Sequence, residues 1–89
     1  MLAKVKMALR VSTNAFDDEL NTLIDAALLD LGIAGVSNIE ETDALIIRAV
    51  CTYCKLYFGQ PSDFDRMKAS YDEQKAQLGM ASGYTDWSN

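Results

Sequence analysis

The segment from Asp43 to Gly59 restricts the possible folds more than any other part of the chain. It reads DALIIRAVCTYCKLYFG, and between its ends only Arg48 and Lys55 are charged. Apolar residues continue most of the way round a helix built from this segment, which is typical of a buried helix. A membrane span needs about 20 apolar residues, so the segment is too short and too interrupted to cross a bilayer. It is therefore predicted to be the central helix of a small soluble bundle.

Composition limits the classes of function that such a bundle can have. A chain of 89 residues is expected to form one domain, and a hydrophobic content of 49% argues against disorder. The net charge of −5 disfavours a dedicated nucleic-acid reader, which normally carries a basic face. Histidine is absent, which removes the commonest general base and the commonest metal ligand. We therefore expect no catalytic residues, no cofactor and no metal site.

The first ten residues predict a short amphipathic helix over residues 2–10. Leu2, Val5 and Leu9 fall on its apolar side, and Lys4, Lys6 and Arg10 on its solvated side. These three basic residues interrupt every apolar run. A signal peptide would need an uninterrupted apolar region of about 7–15 residues, so the segment is expected to belong to a chain made in the cytoplasm.

A second helix is predicted from the cap residues Ser12-Thr13-Asn14 to Leu31, with Gly32 ending it. Its apolar stripe consists of Phe16, Leu20, Leu23, Ile24, Ala27, Leu28 and Leu31. The opposite face, predicted to be solvated, carries Asp17, Asn21 and Asp25.

The remaining boundaries follow from cap and turn residues. Thr42 or Asp43 is predicted to cap the central helix, and Gly59 to end it. Ser62 is predicted to cap a last helix that runs to Leu78 and ends at Gly79. Its apolar side carries Phe64, Met67, Tyr71 and Leu78. The predicted fold class is all-α, a small bundle of three main helices plus a short N-terminal helix. The helical domain spans residues 1–79, and residues 80–89 form a flexible C-terminal tail.

Cys51 and Cys54 form a C-x-x-C pattern in the middle of the central helix. At this spacing the Cβ atoms are about 5–6 Å apart, too far for a relaxed disulfide at about 3.8 Å. Both cysteines are therefore predicted to be small core residues, the ordinary role of a buried free thiol.

Three groups of side chains have a functional interpretation beside a structural one. Asp17, Asp18, Glu19 and Asp25 lack the spacing of a calcium loop and read as a solvated helix face; alternatively, they pair with the basic N-terminal segment of a neighbouring molecule. Lys4, Lys6 and Arg10 either solubilise an exposed helix or form a weak patch that contacts phosphate. Tyr84 and Trp87 anchor a partner, fold back on the bundle, or belong to a disordered tail.

The order of these segments resembles the small head–tail connector proteins of long-tailed bacteriophages and prophages, also called adaptor or head-completion proteins and often associated with DNA packaging. The resemblance rests on KMALRVSTNAFDDELNTLIDAALLDLGIAGV and DALIIRAVCTYCKLYFGQPSDFDRMKASYDEQKAQL. Within these segments the helices that match the family's patterns are 18–31, 45–59 and 71–78. The resemblance as a whole covers about residues 4–78, and its motifs are structural rather than catalytic.

The resemblance implies a structural protein of virion assembly and no enzyme. Its subunits would form an oligomeric ring below the portal, with the portal's twelve-fold symmetry, and would extend the channel through which DNA passes without sequence specificity. The ring would dock the next head-completion, stopper or tail protein. The implied location is the head–tail junction of the virion, and the host cytoplasm during assembly, with no membrane partner.

Within this interpretation, Lys4, Lys6 and Arg10 are predicted to meet Asp17, Asp18 and Asp25 of a neighbouring subunit. Tyr84 and Trp87 are predicted to anchor the portal or a partner ring. Two other classes stay open: a small cytosolic helical protein-interaction module, and a DNA-packaging factor similar to a small terminase subunit.

Overall fold

A computed structural model of the chain describes residues 1–33, 44–59 and 61–80. These residues form four helices and no strand: α1 (Leu2–Leu9), α2 (Asp17–Ile33), α3 (Ala44–Tyr57) and α4 (Phe64–Met80). The predicted all-α class, with three main helices and a short N-terminal one, is confirmed. The predicted cap at Thr42 or Asp43 and the tail from residue 81 onward lie outside the described residues. None of the four helices is long and apolar enough to cross a membrane.

Helix α3 is the central element, as the sequence predicted. It packs against each of the other three helices. Its fully buried side chains are Ile46, Ala49, Val50, Cys54 and Leu56. They spread over more than one face of the helix, because neighbours lie on several sides. Burial of apolar side chains contributes about 1.5–3 kcal/mol each, so this helix supplies much of the core.

The other helices each bring one apolar side to α3. Helix α1 buries Val5, and α4 buries Tyr71 and Leu78. Helix α2 buries Leu20, Ile24, Ala27 and Leu31, with Leu23 and Leu28 partly buried beside them. The predicted stripe of α2 is therefore confirmed except at Phe16, which precedes the helix and is 44% exposed. Phe16 still contacts Phe58 edge-on, with ring centroids 5.4 Å apart.

Helix α1 ends one residue earlier than predicted, through a motif that its sequence does not indicate. Arg10 adopts the left-handed conformation, with φ 59° and ψ 40°. The backbone N–H of Arg10 donates to the carbonyl of Met7 (3.2 Å), and that of Val11 to the carbonyl of Lys6 (2.9 Å). These two bonds form a Schellman motif, in which glycine is the usual left-handed residue. An arginine gives no such signal in the sequence.

Helix α2 begins later than its predicted cap. The N–H of Ala15 donates to Thr13 Oγ1 (3.2 Å), and the N–H of Asp17 donates to the carbonyl of Asn14 (3.3 Å). The predicted cap residues therefore stabilise a turn that precedes the helix. Helix α4 likewise starts two residues after Ser62, with the Met67 N–H donating to the carbonyl of Asp63 at 3.1 Å.

Two of the three glycines predicted to end helices do not end them. Gly32 and Gly79 lie inside α2 and α4, which run on to Ile33 and Met80. Glycine costs about 1 kcal/mol in a helix relative to alanine, and the buried residues before each glycine, Leu31 and Leu78, offset that cost by packing. Gly59 does follow the end of α3, as predicted. A Cβ there would lie 2.9 Å from the carbonyl oxygen of Lys55, so the site excludes larger residues.

Candidate functional site

One of the three basic residues of the N-terminal segment forms an ion pair within the chain, and the other two are exposed. Lys6 Nζ lies 2.9 Å from Asp17 Oδ1 and donates to Asn14 Oδ1 at 2.9 Å. This ion pair joins α1 to the first turn of α2. Lys4 and Arg10 are exposed. In the part of the chain that the structure describes, neither forms an ion pair.

The acidic face of α2 divides in the same way. Asp17 is partly buried against Lys6, so the prediction that its side chain is solvated is wrong; Asn21 and Asp25 are exposed as predicted. Asp18 and Asp25 are exposed and make no ion pair within residues 1–33, 44–59 and 61–80. The structure thus brings one predicted basic residue and one predicted acidic residue together within a single chain. The predicted contact between neighbouring subunits remains open for the other residues.

Two large apolar side chains lie among these exposed charges. Met7 in α1 is 78% exposed, and Leu29 in α2 is 70% exposed. Met7 lies three residues from both Lys4 and Arg10, and Leu29 lies one turn after Asp25. Neither residue was predicted to have a role. The available signal was an apolar residue on the polar side of an otherwise amphipathic helix.

Each exposed set forms a continuous surface on its helix. The α1 outer face consists of Ala3, Lys4, Met7 and the following Arg10, all exposed. The α2 outer face consists of Asp18, Thr22, Asp25, Leu29 and Gly32, all exposed. The spacing of three and four residues aligns the α2 side chains along one stripe, and it aligns Ala3, Lys4 and Met7 on α1. Arg10 follows directly after α1 in the left-handed conformation. One stripe is basic and apolar, and the other is acidic and apolar.

A polar cluster links α2 to α4 on the other side of the bundle. The hydroxyl of Tyr71 donates to Asp30 Oδ2 at 2.6 Å, and Lys75 Nζ lies 3.3 Å from the same oxygen. Lys75 also lies over the Tyr71 ring, 5.6 Å from its centroid. Burial raises the pKa of Tyr71, and the hydrogen bond to Asp30 raises it further. The hydroxyl therefore stays protonated as a donor, and the cluster is a structural connection between helices.

Aromatic rings extend from this cluster towards the turn between α3 and α4. Tyr53 packs on Tyr71 with centroids 5.5 Å apart and on Tyr57 at 4.6 Å, and Tyr57 contacts Phe64 at 6.0 Å. Only Tyr57 among them is substantially exposed, at 42%. The rings form part of the packing between α3 and α4.

The two cysteines are free thiols. Cys54 is fully buried, which confirms its predicted role as a small core residue, and Cys51 is partly buried. Burial raises the pKa of both thiols, and that of Cys54 rises to about 12. A thiol with a raised pKa is a poor nucleophile and a poor metal ligand at neutral pH. Within the described ranges no three Cys, Asp or Glu side chains come together as a possible metal site.

These buried thiols predict a loss of stability in alkaline solution. Cys54 has an ordinary pKa of 9.0 and a folded-state pKa of about 12, raised first by burial and then by Cys51. The folded chain therefore holds this proton more tightly than the unfolded chain. The resulting stability is fully present below pH 9.0 and is lost as the pH rises towards 12. Urea unfolding at pH 7.5, 9 and 10.5 should show a falling free energy of unfolding.

Cys54→Ala is the matched variant for this measurement. It removes the titrating thiol from the core, so its unfolding free energy should fall less steeply between pH 9 and 10.5. Equal slopes for the variant and the natural chain would contradict the assignment of the effect to Cys54.

A shallow groove lies between α3 and α4, with a volume of about 200 Å³. Its lining includes the side chains of Arg48, Gln74 and Gln77. None of the described residues that line it is a nucleophile or a carboxylate. The predicted anchor residues Tyr84 and Trp87 lie outside the described residues, and their role stays a prediction.

The sequence of the chain matches a known protein family. A family model described as "Phage connector protein" matches residues 1–85. The match runs through all four helices and both outer faces. No curated protein and no solved structure matches the chain.

Proposed function

The chain belongs to the phage connector protein family, and from this premise we propose that it is a subunit of a ring that closes beneath the portal of a phage head. The family is a structural one, so the chain has a connector-type structural role and is a virion component. The proposed ring extends the DNA channel from the portal and docks the next head-completion, stopper or tail protein. The family match carries this proposal.

Two features of the molecule support a ring. Subunits in a ring meet head to tail, so each needs two different faces that complement one another. The chain has such a pair in its basic α1 outer face and its acidic α2 outer face. A chain of 89 residues also buries only part of its surface by itself, and assembly increases the apparent stability of such a small domain.

The charge of the chain supports a role as a DNA channel rather than a DNA reader. The net charge is −5. A wall without a strong positive field does not hold the phosphate backbone in place. DNA would therefore pass through the ring without being retained.

The experiment mixes the purified full chain with the portal protein of the same phage and examines the complex by native mass spectrometry and electron microscopy. We expect a closed ring with one copy of the chain for each portal subunit, twelve on a twelve-fold portal. A chain that binds the portal only as a monomer or dimer would contradict the ring and support a simple interaction module. Binding to DNA without the portal would support the packaging-factor alternative.

The proposed anchor on the portal is the tail that carries Tyr84 and Trp87. Large aromatic side chains are enriched among the residues that dominate binding energy at interfaces. The double variant Tyr84→Ala, Trp87→Ala should therefore lose at least ten-fold in portal affinity, with an unchanged circular dichroism spectrum. Affinity equal to that of the natural chain would contradict this anchor and leave the ring proposal in place.

A further inference from the structure

We propose that neighbouring copies of this chain meet by placing the α1 outer face of one copy on the α2 outer face of the next, with Met7 packed against Leu29. This inference rests on the proposed ring and names its subunit contact. The occupant of each face is therefore a second copy of the chain.

The α1 outer face combines an exposed apolar side chain with two cations. Met7 is 78% exposed, although the other side of the same helix buries Val5 completely. Lys4 lies three residues before Met7, about 4.5 Å away along the helix axis, and Arg10 follows the end of α1 in the left-handed conformation. Methionine is flexible and fills irregular gaps, which suits it to the centre of a contact.

The α2 outer face has the complementary composition. Leu29 is 70% exposed and lies opposite the buried Leu20 and Ala27 on the same helix. Asp25 lies four residues before Leu29, about 6 Å along the axis. Asp18 lies two turns further and adds to the negative potential. The hydroxyl of Thr22 already donates to the carbonyl of Asp18 at 3.0 Å, so it needs no partner in a contact.

The two faces match in both charge and position. When Met7 lies on Leu29 with α1 and the neighbour's α2 antiparallel, Arg10 comes close to Asp25 and Lys4 lies over the last turn of α2. That turn contains no basic side chain of its own and carries the negative end of the helix dipole. An added Cβ at Gly32 would have no atom of residues 1–33, 44–59 and 61–80 within 4 Å, so these residues leave space beside this turn. Both cations would therefore lie in a region of negative electrostatic potential.

The internal ion pair indicates which residues are available for the contact. Lys6 and Asp17 are joined at 2.9 Å within one chain, so they set the relative positions of α1 and α2 rather than attract a neighbour. This leaves Lys4 and Arg10 on one face, and Asp18 and Asp25 on the other. Because the faces differ, the contact can repeat head to tail from one subunit to the next, as a ring requires.

The experiment measures ring formation on the portal, by native mass spectrometry, for the full chain and its variants. Met7→Glu puts a negative charge against the acidic α2 outer face of the neighbour. Leu29→Lys puts a positive charge against the basic α1 outer face of the neighbour. Each variant therefore places like charges together across the contact. Each should lower the fraction of complete rings at least ten-fold. Because both side chains are exposed, circular dichroism should show an unchanged fold.

A charge exchange tests the specific pairing. Arg10→Asp and Asp25→Arg should each reduce ring formation, and the double variant should recover most of it because opposite charges again face each other. Arg66→Asp and Glu73→Arg make the same changes at exposed positions of α4 and should leave ring formation unchanged.

The outcomes distinguish this contact from the ring itself. Rings that form normally in Met7→Glu and Leu29→Lys would overturn the contact while leaving the proposed function in place. An equal loss in the α4 controls would also overturn it, because net charge would then explain the effect. A natural chain that forms no ring on the portal would overturn both the contact and the proposed function.

Discussion

Tyr71→Ala should destabilise the protein by about 3–5 kcal/mol. Tyr71 is the largest of the fully buried side chains, at 1% exposure, and it joins three helices. Its ring lies in α4 and packs on Tyr53 of α3 at 5.5 Å, while its hydroxyl donates to Asp30 of α2 at 2.6 Å. Since the expected stability is about 0.05–0.15 kcal/mol per residue, this loss is a large part of the total. Urea unfolding followed by circular dichroism measures it.

Tyr71→Phe separates the ring from the hydroxyl. It keeps the packing against Tyr53 and removes the hydrogen bond to the Asp30 carboxylate, which leaves Lys75 as the remaining partner at 3.3 Å. A hydrogen bond to a charged group contributes about 1.5–3 kcal/mol, so this variant should lose roughly half as much stability as Tyr71→Ala. If Tyr71→Phe left the free energy of unfolding unchanged, the cluster would not stabilise the fold. Equal losses in the two variants would show that the packing contributes little.

Leu20→Ala should destabilise the protein by about 2.7–5 kcal/mol, the range of fully buried leucines. Leu20 is completely buried on the side of α2 that faces the core. The truncation leaves a cavity that the neighbouring side chains fill only in part. Thermal and urea unfolding both report the loss.

Leu29→Ala is the matched control, since it makes the same chemical change on the opposite face of the same helix. Leu29 is 70% exposed, so its truncation should change the free energy of unfolding by no more than about 0.5 kcal/mol. If both leucines were equally sensitive, Leu29 would be covered within the subunit, and the α2 outer face would not be a free surface. If neither were sensitive, the orientation of α2 would be wrong.

The hydrophobic periodicity of the sequence predicted the buried sides of the helices reliably. The spacing of Leu20, Ile24, Ala27 and Leu31 predicted the buried side of α2, and these are the residues that the core contains. The apolar surface most of the way round residues 43–59 likewise predicted a buried central helix, and α3 packs against the other three helices. Such patterns are dependable because burial of many apolar groups dominates over any single local preference.

Helix ends were predicted less well, because they depend on small local terms that packing outweighs. Gly32 and Gly79 were expected to end helices that in fact continue through them. Arg10 ends α1 in a conformation that favours glycine, held by the hydrogen bonds from Arg10 and Val11 to Met7 and Lys6. Each of these choices involves about 1 kcal/mol, which one well-packed neighbour can reverse.

At the candidate site, too, the sequence predicted which residues matter but not which of them are in contact. The sequence singled out Lys4, Lys6 and Arg10 with Asp17, Asp18 and Asp25 as charged groups that belong together. It did not show that Lys6 and Asp17 pair within one chain at 2.9 Å, because ten residues that include a turn lie between them. It also passed over Met7 and Leu29, whose exposure depends on how α1 and α2 dock on α3.

The sequence by itself determined the all-α class, the central position of α3, the family and the absence of histidine chemistry, because these follow from composition and from repeating patterns along the chain. Only the tertiary structure decided which charges are used internally, which tyrosine joins α2, α3 and α4, and which apolar side chains remain outside the core. Those properties depend on distances between residues far apart in sequence, such as the 2.6 Å between the Tyr71 hydroxyl and Asp30 Oδ2. No local pattern specifies such distances, since they result from the packing of the helices as a whole.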